Sequence, residues 1–231
     1  MLTHHIYSGA ATTASRLGQP DLAIATLNDF VQSAQMVCSL DPTVPVIADA
    51  DTGFGGPAMV ARTVTQYARA GVAGLHIEDQ VQTKRCGHLL GKQVVSREEF
   101  VTRIRAAVIA RDSIPGGSDF VIIGRTDSAQ VLGMDEAVAR LQLAADAGAD
   151  VCFIEGVKSK DLLESTVQAL SPKPVSFEAK EYKKKELLNS PSRSSSTSFL
   201  VVSPHPLLRR RQNRWEPKSS VNLYLLMTKR I

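Results

Sequence analysis

The pair Asp49-Ala50-Asp51 places two carboxylates on one side of an extended segment, two residues apart. Such oxygens suit a hard divalent cation. Mg2+ binds through one or two carboxylates, keeps several waters and takes its remaining ligands from substrate. A glycine-rich stretch, Thr52-Gly53-Phe54-Gly55-Gly56, follows and lets backbone approach a ligand. It is not a phosphate loop, because no Gly-Lys-Ser/Thr follows, and the dinucleotide spacing is absent. Lys84-Arg85-Cys86-Gly87-His88 sets one thiol among two cations and a histidine, a field that favours thiolate. With glycines at 87 and 91, this loop could close over a site. Zinc would need about four ligands, and no second Cys/His pair has a suitable spacing. Cys38 and Cys152 lie on apolar stretches and are expected to be buried, unreactive thiols.

The elements that must position these residues form a repeating pattern. Short apolar runs recur at Val44–Ala48, Gly74–Ile77, Phe120–Ile123, Val151–Ile154 and Pro174–Phe177, with Ile6–Tyr7 read as the remnant of an earlier one. Runs apolar at nearly every position suit parallel strands covered on both faces. Helices are expected over Ala58–Ala70, Ser96–Arg111 and Asp135–Ala147. Pro57 and Gly71 bound the first, and Gly148 closes the third. Ser96 and Glu99 form a capping-box pattern for the second, with Phe100, Ile104, Ala107 and Val108 on one face. Ser8-Gly9-Ala10-Ala11 and Leu17-Gly18-Gln19-Pro20-Asp21 read as loops whose backbone N–H groups could hold a carboxylate. Ala70-Gly71-x5-Ile77-Glu78 is echoed by Ala147-Gly148-x5-Ile154-Glu155. Repeated parallel β/α units make a barrel or an open doubly wound sheet. Both put chemistry at the C-terminal strand ends. There stand Asp49 and Asp51; His76, Glu78 and Asp79; Arg125 and Asp127; and Glu155. Packing alone gives little reason for four successive strands to end in ionisable residues.

The 231-residue chain has a net charge of +4, unevenly distributed. Residues 1–177 carry 15 Lys and Arg against 19 Asp and Glu; residues 178–231 carry 12 against 4. All 15 glycines lie at or before Gly156. A body over 1–177 is therefore expected, followed by a basic, Ser-rich, disorder-prone tail over 178–231. Within the tail, Phe199–Val202 and Leu223–Met227 are apolar pieces able to dock locally. No apolar run reaches the ~18 residues of a spanning helix. The N-terminus shows no secretory pattern. Three widely spaced cysteines make no disulfide framework, so a reducing compartment is expected.

Taken in order, DADTGFG, GLHIEDQ, KRCGH and RTD resemble the isocitrate lyase/phosphoenolpyruvate mutase superfamily, most closely its methylisocitrate lyase and oxaloacetate hydrolase members. The resemblance covers most of residues 7–175 and implies an (α/β)8 TIM-type barrel. It implies that Ser8, Gly9 and Ala10 hold a substrate carboxylate and that Asp21 lies near the metal shell. Asp49 and Asp51 become Mg2+ carboxylates, with Mn2+ as the alternative ion. His76 and Glu78 order metal waters. Cys86 becomes the general acid on a mobile gating loop with Lys84, Arg85, Gly87 and His88 beside it. Arg125 stabilises enolate charge, and Glu155 supports from behind. The implied reaction is C–C cleavage of a 2-hydroxy or 2-oxo di- or tricarboxylate, because phosphonomutase members tend to lack the Cys-Gly-His loop.

The ends depart from the pattern. One β/α unit before Tyr7 is missing, and after Lys173-Pro174-Val175 the expected Asn-containing segment and eighth strand are not found. An incomplete barrel is therefore expected, with exposed edges. Two alternatives to a lyase stay open: an oxaloacetate acetylhydrolase-type hydrolase, or a truncated, inactive member with a basic tail. The expected partner is a small carboxylate substrate. The family's homotetramer is in question given the altered ends, and neither membrane nor nucleic acid is expected. The expected compartment is the cytoplasm, or the mitochondrion should the N-terminus be longer.

Overall fold

The computed structural model describes residues 5–87, 89–115, 119–157, 159–178, 199–203, 209–211, 214–216 and 222–226. Six strands run parallel in chain order: β1 His5–Tyr7, β2 Val46–Asp49, β3 Gly74–Glu78, β4 Val121–Thr126, β5 Val151–Ile154 and β6 Val175–Glu178. Helices connect them. Gly9–Leu17 (α1) and Leu27–Leu40 (α2) follow β1, Pro57–Arg69 (α3) follows β2, and Arg97–Asp112 (α4) follows β3. Ala129–Leu132 (α5) and Met134–Asp146 (α6) follow β4, and Lys160–Leu170 (α7) follows β5. The parallel strands curl into a half-barrel with helices outside, which is the incomplete TIM-type barrel expected from the sequence. From the tail, Phe199–Ser203 (β7) pairs antiparallel with β6, Arg209–Arg211 (β8) pairs with Arg214–Glu216 (β9), and Asn222–Leu226 (β10) adds to β7. The two apolar tail pieces are thus the ones that join the sheet. Its order has β1 at one end and β10 at the other.

The strands read as continuously apolar because both faces are covered, by different partners. One set of alternate residues, Ala48, Leu75, Ile77, Ile122, Cys152, Ile154 and Val175, is fully buried. Most of it packs with Phe30, Val64, Tyr67, Phe100 and Ile104 of the helices around β2–β4. A second cluster joins β5 and β6 to Leu141, Leu163 and Leu170. The other alternate set contains Asp49, His76, Glu78, Arg125 and Phe153. The ladder aligns it: Asp49 pairs with His76, Glu78 with Arg125, and Arg125 with Phe153. Paired residues on neighbouring strands project to one side. Polar groups near the strand ends are thereby collected on the inner face.

Local chemistry sets the helix boundaries, with two corrections to the sequence reading. The stretch from Ser8 to Ala11 is not a loop. Ser8 caps α1 by accepting from the Ala11 N–H, and Thr12 and Thr13 hydroxyls donate back to the Ser8 and Gly9 carbonyls. Small and β-branched residues hide that helix because they leave no long apolar stripe. At α4, Ser96 does cap the Glu99 N–H, but the Glu99 carboxylate turns to Arg103 Nη2 at 2.7 Å instead of completing a box. The full capping box belongs to α2, between Thr26 and Asp29.

Candidate active site

Asp49 is held on three sides. The Gly9 N–H donates to its Oδ2 at 3.0 Å, the Asp51 N–H donates to its Oδ1 at 3.0 Å, and the Tyr67 hydroxyl donates to its carbonyl at 2.6 Å. A Cβ at Gly9 would stand 2.7 Å from that carboxylate, so the residue must be glycine for the approach to occur. Burial opposes ionisation of Asp49, but His76, Lys84, Arg125 and the Asp51 N–H outweigh it and hold the carboxyl at about 2. Asp51 behaves oppositely. Burial and the neighbouring Asp49 charge push it up to about 7, against the pull of Lys84. Its backbone is left-handed, φ 46°, an uncommon conformation outside glycine and one often found at functional sites.

Lys84 is buried and bridges the acids, with Nζ 2.6 Å from Asp21 Oδ1 and 2.7 Å from Asp51 Oδ1. Burial works against its charge, but Asp51, Glu78, Asp49 and Asp21 more than offset that and raise its pKa. The His76 ring is pushed down to about 4 by burial, so it is neutral at pH 7; its Nδ1 lies 3.5 Å from Asp49 Oδ1, and its edge meets Phe153.

Arg125 forms the second half. Its Nε lies 3.0 Å from Asp127 Oδ2 and 3.3 Å from Glu78 Oε2, and its Nη2 lies 3.7 Å from Glu155 Oε2. The guanidinium carbon also sits 5.1 Å from the Phe153 ring centroid, within cation–π range. Burial raises Glu78 well above the carboxylate range even beside Arg125. Among the described residues, the buried atoms His76 Nδ1 and Glu78 Oε1 have no hydrogen-bond partner. Buried polar atoms are normally satisfied, so two orphans on the same face of β3 mark a place for a ligand, ion or water.

The Cys86 loop is folded over this centre. The Cys86 N–H donates to the Asp21 carbonyl at 3.1 Å. Gln80 grips the Arg85 backbone in both directions, at 2.9 and 3.2 Å. Gly87 lies so close to Arg125 that an added Cβ would collide with Nη2. The structure therefore brings together Gly9, Asp21, Asp49, Asp51, His76, Glu78, Lys84, Cys86, Gly87, Arg125 and Glu155. Ser8 and Arg85 are exposed; Ser8 takes part as a helix cap and Arg85 through its backbone. Ala10 is half-buried in the first turn of α1. His88 lies outside the described residues. Sequence reasoning missed Tyr67 and Lys92. Tyr67 carries a polar tip on the buried face of α3, beside Val60, Thr63 and Val64, a signal in retrospect. Lys92 is a single lysine with none.

The family model described as phosphoenolpyruvate phosphomutase matches residues 3–193. The chain belongs to this family. Among relatives, 2,3-dimethylmalate lyase of Eubacterium barkeri is 45% identical over 154 residues, 67% of this chain and 52% of that protein. The 2-methylisocitrate lyase of Salmonella typhimurium is 49% identical over 151 residues, 65% and 50% of the two chains. A solved oxaloacetate acetylhydrolase in complex with the inhibitor 3,3-difluorooxalacetate superposes with TM-score 0.71 at 57% identity, covering 74% of this chain and 57% of that one. This family member thus spans about half the length of the curated relatives it matches. Among its described residues no helix is long and apolar enough to cross a membrane.

Proposed function

We infer that the site is built for carbon–carbon cleavage of a 2-hydroxy or 2-oxo di- or tricarboxylate, in the manner of a methylisocitrate lyase. The observation that carries this reading is the seating of the Cys86 loop directly on Arg125, above the paired aspartates. Breaking a C–C bond beside a carboxylate leaves an enolate on one fragment and a carbanion on the other. Arg125 is a fixed positive charge in a dry site, which suits developing enolate oxygen. Cys86, on the covering loop, is the proton donor for the second fragment and acts there as a thiol, the neighbouring Lys84 charge being taken up by Asp21 and Asp51. Glu78, Asp127 and Glu155 aim Arg125, and the N-terminus of α1 favours a substrate carboxylate near Gly9 and Ala10.

The donor set suits Mg2+, and Mn2+ by the same chemistry. Among the described residues no three His, Cys, Asp or Glu side chains converge as a ready metal cage. Mg2+ does not require one. Asp21 and Asp51 share the Lys84 ammonium, Asp127 and Glu155 share Lys92 and Arg125, and Asp49 adds a further carboxylate, leaving negative charge in excess. Asp51 would hold the ion, with Asp49 beside it. When bound, such an ion supplies Lewis acidity to a chelating substrate oxygen.

Hydrolysis of oxaloacetate is the second reading, favoured by the 57% identity to oxaloacetate acetylhydrolase. The test is product analysis with 2-methylisocitrate, 2,3-dimethylmalate and oxaloacetate in Mg2+ buffer. Cleavage lost with EDTA and with Cys86→Ala is the expected result, and oxalate from oxaloacetate would select the hydrolase. Activity that survives both treatments would overturn the site assignment.

A further inference from the structure

The segment between β3 and α4 has a fixed base and a separately held tip. At the base, Gln80 and Val94 form an antiparallel bridge, the Val81 N–H donates to the Gln93 carbonyl at 3.0 Å, and the Val95 N–H donates to the Asp79 carbonyl at 2.8 Å. Two buried arginines brace it. Arg103 of α4 donates to the Glu78 and Gln80 carbonyls at 3.1 and 2.7 Å, and Arg140 of α6 donates to the Val95 carbonyl at 2.8 Å. The tip, residues 84–87, carries Cys86.

Lys92 spans the two parts. It sits beside the base, its side chain is 1% exposed, and its Nζ donates to the Gly87 carbonyl at 2.8 Å and to Asp127 Oδ1 at 2.7 Å. The other Asp127 oxygen takes Arg125 Nε, and Arg125 Nη2 lies against Gly87. Gly87, Lys92, Asp127 and Arg125 therefore close a ring of contacts. Asp127 is tied from behind as well, because its N–H donates to Asp79 Oδ1 at 2.8 Å.

We propose that Lys92 is a positioning residue, a latch that seats the Cys86 loop and aims Arg125 in one event. The roles of Cys86 and Arg125 in turnover rest on the lyase reading above; the latch itself rests on the ring of contacts. Lysine suits the task because one ammonium offers three donors from a single point. Two serve partners on different segments, the tip carbonyl and the β4 carboxylate. If Lys92 served only to balance Asp127, it would have no need of the Gly87 carbonyl. With the tip seated, Arg125 is shielded by Gly87 and Asp127 is shared between two cations. With the tip lifted, Lys92 loses one acceptor and water reaches the guanidinium. Proton donor and stabilising charge are then disassembled together.

The test uses the full chain and follows alkylation of each cysteine by iodoacetamide, mapped by peptide mass, beside steady-state turnover. In Lys92→Met the Cys86 rate is expected to rise about tenfold or more, the factor of one lost charge-assisted hydrogen bond. The Cys38 rate stays at its wild-type value, and kcat falls by a larger factor than KM changes. Gly87→Ala keeps Lys92 but pushes the tip off Arg125, and is expected to expose Cys86 similarly. A wild-type Cys86 rate in a cooperatively melting Lys92→Met variant overturns the latch. Should that variant not melt cooperatively, Lys92→Arg is read instead. It keeps the charge but replaces the point donor with a planar fork. A Cys86 rate raised about threefold or more supports the latch, and a smaller rise overturns it. A wild-type chain without turnover would count against the lyase reading alone, because the alkylation rates still report the latch.

Discussion

Asp127→Asn removes one charge and almost no volume from the most enclosed ion cluster of the site. The Asp127 side chain is 0% exposed and is shared by Lys92 Nζ at 2.7 Å and Arg125 Nε at 3.0 Å. An amide can accept from one of these cations but points its NH2 at the other. Breaking a buried pair from one side costs about 3–5 kcal/mol, because the remaining charge is left uncompensated. Taking about 3 kcal/mol with a urea m-value of about 2 kcal/mol/M, the unfolding midpoint should fall by about 1.5 M at unchanged m. Adding Lys92→Met removes the stranded cation, so the double variant should lose less than the sum of the singles, by about 1–2 kcal/mol. The pH dependence has a definite sign. Burial raises the Asp127 pKa, but Arg125 and Lys92 outweigh it and hold the folded value below 3.8. Its stabilisation is therefore complete well above pH 3.8 and is lost as pH falls through the folded value, so the gap between wild type and variant should close in acid. A midpoint shift under about 0.3 M at pH 7, or a gap that widens in acid, would show that Asp127 is not stabilised as a buried anion between Lys92 and Arg125.

Three further outcomes follow from single contacts. Tyr67→Phe strips the buried hydroxyl donor from the Asp49 carbonyl and should cost about 1–2 kcal/mol, read as a Tm lower by about 3–6 °C. The Cys152 thiol is fully buried and pushed up to about 12 by that burial, so alkylation at pH 8 should leave it unmodified until urea unfolds the chain. Glu136 is held at about 2, chiefly by the Arg97 hydrogen bond and then by Arg140, so its contribution is present above pH 4.5 and lost as pH falls toward 2. Glu136→Gln should therefore flatten the decline of Tm across that window, and an unchanged slope would count against the contact.

The parts of the molecule legible in the sequence are those set by local pattern. Five of the six parallel strands show as apolar runs, because helices cover one face and the barrel interior the other, while β1 shows only as the remnant Ile6–Tyr7. The helices bounded by Pro57 and Gly71 and by Ser96 are signalled by their ends. Helix α1 is not legible, since Ala-Ala-Thr-Thr carries neither a stripe nor a breaker. Helix α2 has Leu27, Phe30 and Ala34 on one face and its own capping box, yet the sequence reading passes over it. Within the site, the ionisable residues near the strand ends are visible, but who meets whom is not. Strand register decides that Glu78 faces Arg125 and Asp49 faces His76. Lys92 shows the limit most clearly. Its role depends on a carbonyl five residues back and a carboxylate thirty-five residues on, and one lysine between Gly91 and Gln93 announces neither.

In the proposed reaction, Arg125, covered by the Cys86 loop, supplies charge to a breaking C–C bond. The direct measurement is single-turnover cleavage of 2-methylisocitrate, 2,3-dimethylmalate and oxaloacetate in Mg2+ buffer by wild type and by Arg125→Met, with folding of both checked by thermal melt. Cleavage of at least one substrate by the wild type is expected, with a loss of about 100- to 1,000-fold in the variant, the size seen when one preorganised donor to a developing anion is removed. A folded wild type that cleaves none of them, or a folded Arg125→Met that keeps the wild-type rate, would contradict that role of Arg125.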